Sequence, residues 1–225
     1  VNEKSAVSRR RLFKGGLVVV GAGALLSTRT VTKAVAADAQ AAWKSNTTAN
    51  GWPVVGPPAP TRVEGTGFAL SVLPGAVATV LLHCVRRYYY EVDHTLVQTD
   101  ILGYVSDPRV AAAFESNHLS GTAVAVRPGW YPIGVAGGFL AREVVVIRDI
   151  LADCEGVVRW GGDLNPLKES HFQIDVGPND AKLRQVAAKI EQWRSRPGRG
   201  AGSAVDPFSS ERRAAARSLA AMQRH

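Results

Sequence analysis

Three apolar stripes of helical period constrain this chain most. Val77, Val80, Leu81, Cys84 and Val85 recur on one face of a helix that opens at Pro74 and runs to about Tyr90. Val144, Val145, Ile147, Ile150 and Leu151 mark a second helix over Ala141–Asp153. Leu183, Val186, Ala187 and Ile190 mark a third over Asp180–Trp193. Between them lie short β-branched alternations: Phe68–Leu73, Gly121–Arg127, Val157–Trp160 and His171–Val176. Helices and strands do not alternate as regular βαβ units. The expected class is therefore α+β, with a small, mostly antiparallel sheet flanked by helices. Shorter helices are expected near Ala39–Lys44 and over Pro108–Phe114, and a basic, alanine-rich one over Ser209–Met222.

Charge is unevenly placed along the 225 residues. Residues 1–36 hold seven Lys/Arg against one Glu, and residues 194–225 hold seven Arg against one Asp and one Glu. The stretch between them has 13 basic and 16 acidic residues. The net +8 thus belongs to the two ends, which argues against a nucleic-acid-binding core. Arg86-Arg87-Tyr88-Tyr89-Tyr90 combines cations with aromatic rings, but at the end of an apolar helix it reads as packing rather than base stacking. The basic C-terminal helix reads as a solvated segment, the other possibility being contact with anionic wall polymer or a membrane surface.

Residues 8–14 read Ser-Arg-Arg-Arg-Leu-Phe-Lys, followed by an apolar, glycine-rich run to Leu26 and by Ala34-Val35-Ala36. A basic start, a short apolar centre and an A-x-A end make a cleavable export signal, and Arg9-Arg10 resembles the twin-arginine type. The run is too short for an ordinary membrane span, so no stable span is expected after cleavage. An uncleaved anchor is the alternative. The expected organisation is a signal over 1–36, a polar lead-in over 37–67, a folded domain over 68–194, and a Gly/Arg-rich linker with a basic helix over 195–225. The two cysteines, Cys84 and Cys154, exclude a disulfide-dense scaffold and a four-cysteine zinc site. In an exported chain they could pair, or remain two buried thiols.

Two histidines stand out by context. His118 lies in Ser116-Asn117-His118-Leu119-Ser120-Gly121-Thr122-Ala123, ahead of a strand. His171 opens another strand and follows Glu169 by two residues. If the strands pair antiparallel, both imidazoles reach one point. Two imidazoles, a further ligand and a nearby carboxylate are what a hydrolytic zinc site needs. His83 and His94 lack ligand-like spacing and read as structural.

These segments resemble the D-alanyl-D-alanine carboxypeptidase family of zinc peptidases, whose first motif is S-x-H-x-x-G-x-A-x-D and whose second ends in an acidic residue shortly before His-Phe. Ser116, His118, Gly121 and Ala123 match the first; Glu169, His171 and Phe172 match the second. Asn50-Gly51-Trp52-Pro53 and Arg159-Trp160-Gly161-Gly162-Asp163 look like the cell-wall peptidase branch. The resemblance implies an exported zinc metallopeptidase that hydrolyses peptidoglycan stem peptides with metal-activated water. His118 and His171 would be metal ligands, Glu169 the proton-moving carboxylate, and Arg109 an oxyanion-stabilising cation or else a solvated residue.

The chain departs from that pattern at two places. The ligand aspartate position is Ala125, which cannot coordinate a metal. Asp93, Asp163 and Asp175 are the candidate substitutes near the motifs. The usual position of the catalytic carboxylate, three before the final histidine, is Lys168, so Glu169 must serve from one residue closer or simply pair with Lys168. Ala125 divides three readings: a peptidase with a replacement ligand or a weakly held metal, a catalytically lost relative that binds wall peptides, and a structural envelope protein.

Overall fold

The computed structural model describes residues 40–196 and 206–223. The signal reading over 1–36 and most of the expected linker lie outside them. The fold is α+β, with four α-helices and small antiparallel sheets among the described residues.

The sheet that organises the domain has β4 (Ile101–Leu102), β6 (Ala123–Val126), β8 (His171–Ile174) and β7 (Val158–Trp160) in that order, all antiparallel. Strand alternation sorts its faces. Val124, Val126, Phe172 and Ile174 point into the hydrophobic core with α1 (Ala76–Glu91) and α2 (Ala141–Asp153). Ala123, Ala125, His171 and Gln173 are equally buried on the opposite face, outside the apolar cluster. That face is covered by a 3-10 helix over Ala113–Ser120.

α1 starts behind Gly75, whose φ of 85° suits glycine, and buries Val77, Val80, Leu81, Cys84 and Val85 as expected. It packs against α3 (Ala181–Arg194), which buries Leu183, Val186, Ala187 and Ile190. The Arg86-Arg87-Tyr88 segment is buried as packing. Cys84 Sγ and Cys154 Sγ are 3.5 Å apart, both thiols free and enclosed.

Three elements differ from expectation. Ala41–Ala42 is strand β1, paired with β5 (Arg109–Val110), where short helices were expected at both places. The lead-in is partly folded in: Trp52 is buried and its indole N–H donates to the Val176 carbonyl at 2.7 Å. Asn50 Nδ2 donates to Thr122 Oγ1 and to the Ile174 carbonyl, each at 2.8 Å. A hairpin of β2 (Pro60–Arg62) and β3 (Ala69–Ser71) completes that side.

The last helix, α4 (Ser210–Met222), is not a solvated appendage but packs on α2. It buries Ala216, Leu219 and Ala220. Arg212 reaches Asp149 Oδ1 at 2.7 Å and Asp153 Oδ1 at 3.0 Å, and the same carboxylates hold Arg87 at 2.7 and 2.8 Å. Gln223 donates from Nε2 to the Val158 carbonyl, occupying the free edge of β7. Among the described residues, no helix is long and apolar enough to cross a membrane.

Candidate functional site

The 3-10 helix that carries His118 ends at Gly121, with φ 65°. A Cβ there would lie 2.7 Å from the Leu73 amide nitrogen, so both the left-handed turn and the close approach require glycine. Ser116 locks the helix start: its hydroxyl donates to the Ala113 carbonyl at 2.6 Å and accepts from the Ala49 amide at 2.9 Å. Ser116 and Gly121 therefore position His118, and the turn leads straight into β6.

Pairing of β6 with β8 sets Ala125 opposite His171. The His118 and His171 rings come together, with centroids 5.2 Å apart and planes at 71°. Phe114 closes one side, its ring 4.9 Å from that of His171. The two imidazoles are 5 % and 0 % exposed, so their hydrogen bonds decide their chemistry.

His118 Nδ1 faces the Gly103 carbonyl at 2.7 Å and must donate to it, which leaves a lone pair on Nε2. His171 Nε2 faces Gln173 Oε1 at 3.0 Å. That oxygen also accepts from Asn117 Nδ2 at 2.9 Å, while Gln173 Nε2 donates to Asp175, so His171 donates as well. Its lone pair is then on Nδ1. His118 Nε2 and His171 Nδ1 have no partner among the described residues. Two neutral rings, each oriented through its far nitrogen by a carbonyl oxygen, form the usual support of imidazoles that present lone pairs to a metal. Two imidazoles on one tetrahedral zinc would have centroids about 5 Å apart, given Zn–N distances of about 2.0–2.1 Å.

Two imidazoles alone fall short of the ligand count of a zinc centre. Among the described residues, no third His, Cys, Asp or Glu joins them to make a metal-binding group. Ala125, across from His171, offers only a methyl group. The candidate substitutes are engaged elsewhere: Asp93 with Arg127 at 3.3 Å, Asp175 with Arg159 at 2.8 Å, and Asp163 with Arg148. The donor set among the described residues does not meet the needs of a hydrolytic zinc ion.

The remaining expected residues are placed as follows. Glu169 is buried, and its two carboxylate oxygens accept from the Gly137 amide at 2.9 Å and the Gly138 amide at 2.8 Å. It does not pair with Lys168; it pins the 134–138 loop to the start of β8. The Lys168 ammonium instead meets Glu115 Oε1 at 2.6 Å. Arg109 lies on β5, outside the four-stranded sheet, with its side chain 65 % exposed and ion-paired to Asp107 at 2.5 Å. The structure brings together His118, His171 and Ala125, places Glu169 at the edge as a loop anchor, and leaves Arg109 outside.

Two contributors were missed. Gln173 was legible in principle, being two residues beyond His171 and so on the same strand face. The Gly103 carbonyl was not, because a backbone acceptor has no sequence signal.

Burial lowers the pKa of His118 to about 4, and burial followed by the neighbouring His118 charge lowers that of His171 well below its ordinary value. Both rings are neutral in the folded chain at neutral pH. An unfolded histidine titrates near 6.5, so the unfolded chain binds more protons below that pH. Stability is therefore expected to fall as the pH drops from about 6.5 towards 4, by about 3 kcal/mol from His118 alone. Urea midpoints in EDTA at pH 7.5, 5.5 and 4.5 measure this, and His118→Asn should flatten the slope. An equal slope in that variant would contradict the assignment.

Comparison with protein families and curated proteins by sequence, and with solved structures by fold, returns no match.

Proposed function

We propose that this chain recognises peptidoglycan stem peptides without hydrolysing them, on a scaffold resembling the zinc D-alanyl-D-alanine carboxypeptidases, and acts in the cell envelope after twin-arginine export. The observation that carries the reading is Ala125 directly across from His171 where that chemistry needs an anionic ligand. Two others agree with it. The Glu169 carboxylate is committed to two backbone amides, and Lys168 stands where a proton-moving carboxylate is usual.

Recognition draws on what is left. The connection from β6 to α2, whose 134–138 stretch Glu169 holds, exposes Trp130, Val135 and Leu140, about half of each being accessible. Arg127 stacks over Trp130, its guanidinium carbon 4.1 Å from the ring centroid. Exposed apolar and aromatic side chains beside a cation suit a peptide with alternating methyl and amide groups.

A second reading, slow hydrolysis with a weakly held metal, is favoured by the two unpaired ring nitrogens. One experiment separates them. The chain is incubated with purified wall sacculi and with stem peptides, with and without added zinc, and both retention and products are measured. Expected are retention on sacculi, at least about tenfold weaker retention for Trp130→Ala, and no new fragment. A released D-alanine or shortened peptide would establish the second reading, and lack of retention would refute recognition.

A further inference from the structure

Lys168 lies three residues before His171, and its ion pair with Glu115 reaches the 3-10 helix that carries His118. Its backbone is fixed on both sides: its amide donates to the Gly161 carbonyl at 2.8 Å, and its own carbonyl accepts from the His171 amide at 2.9 Å. A Cβ on Gly161 would lie 2.1 Å from that carbonyl, so the anchorage is tight. The side chain is largely enclosed, with 14 % exposed, and its ammonium meets a Glu115 carboxylate that is itself 15 % exposed. Glu115 belongs to the same 3-10 helix as His118, and its other oxygen accepts from the Ala111 amide at 2.7 Å. Residues three apart on a 3-10 helix share a face, so Glu115 brings the Lys168 ammonium to the side of the helix from which His118 projects.

We propose that Lys168 is a resident cation beside this imidazole pair, held there by Glu115, and that it keeps divalent metal ions off the lone pairs of His118 and His171. A metal ion between these imidazoles finds the adjacent carboxylate already spent, because Glu115 is paired with Lys168. Drawing Glu115 onto the metal would leave the ammonium unpaired in a poorly solvated space next to a second cation, where like charges repel. The pair thus acts against a metal by withholding an anionic donor and by making its release costly. This deepens the proposed function, and rests on it only in taking the imidazole pair as the ligand-facing part of the site.

The test is zinc titration of the full chain by calorimetry, with cobalt(II) visible absorption as a spectroscopic check. Lys168→Met is expected to bind zinc at least about tenfold more tightly than the wild type, because one opposing charge is gone. Lys168→Arg keeps the charge and should stay as weak as the wild type. The gain should vanish when His118→Ala is added. Lys168→Gln is the second neutral variant, and circular dichroism confirms that each protein is folded. No tightening in either neutral variant overturns the proposal, as does a gain that survives His118→Ala. Retention on wall sacculi is measured on the same samples, so a failed metal gain with intact retention refutes this inference alone, and lost retention in the wild type refutes the proposed function.

Discussion

Ala125→Asp is expected to raise zinc affinity by at least about 100-fold, because it supplies the anionic third ligand to a pair already oriented for coordination. The carboxylate would project from the strand position directly opposite His171, on the face shared by His171 and Gln173. Cross-strand partners have Cβ atoms about 4.5–5.5 Å apart, which is the reach of an aspartate and an imidazole meeting at one ion. The substitution has a cost in metal-free protein. Ala125 is fully buried, so an unpaired carboxylate there should destabilise the chain by about 3–5 kcal/mol in EDTA. The signature is therefore a double one: a lower melting temperature with chelator and a higher one with zinc, relative to the wild type. A variant that folds but gains no affinity would mean that the two lone pairs do not converge. With Lys168→Met present as well, the gains should combine non-additively, because both substitutions change the charge met by the same ion.

A comparable loss of stability is expected at Asp149. It is 1 % exposed, and its two oxygens hold Arg87 from α1 and Arg212 from α4. Asp149→Ala leaves two guanidinium groups facing one another with only Asp153 and Glu91 to balance them. Breaking a buried ion pair by removing one partner costs about 3–5 kcal/mol. Arg212→Ala should cost less, about 1–2 kcal/mol, because Arg212 is partly solvated and Asp149 keeps Arg87. Urea denaturation of both variants checks the ranking. A loss below about 1 kcal/mol for Asp149→Ala would show that α4 is held by its apolar face alone.

Much of this architecture was legible in advance, and the failures have physical causes. α2 spans the expected residues, and α1, α3 and α4 start or end within about two residues of expectation, because apolar periodicity over three or more turns is a strong signal. β6 and β8 were readable from alternation, and their antiparallel pairing brings the histidines together as that reading required. β1 and β5 were not, since a two-residue strand has no period and exists only through a partner far along the chain. The docking of α4 was hidden for a related reason. Its arginines look solvated until the buried carboxylates of α2 are seen beneath Arg212.

Glu169 shows the same limit at the site. Its spacing from His171 suggested chemistry, but its carboxylate is captured by a glycine pair more than 30 residues upstream. Nothing in the local sequence discloses that competition. Ala125, by contrast, was legible outright, because a methyl group has no coordinating atom in any fold.

The thiols of Cys84 and Cys154 touch across the join between α1 and the end of α2, and neither is open to solvent. A disulfide needs an attacking thiolate and access for an oxidant. The hydrogen bond with Cys84, and then burial, hold the Cys154 proton in place, and both sulfurs are closed to an oxidant from solvent. Whether these sulfurs are joined is consequently decided by order of events. A chain that folds in a reducing compartment and is moved intact carries its thiols sealed inside, whereas one that folds after reaching oxidising surroundings meets oxidant while they are still open. The redox state of this pair, read as a two-dalton mass difference on protein recovered from cells, is a record of where the chain folded.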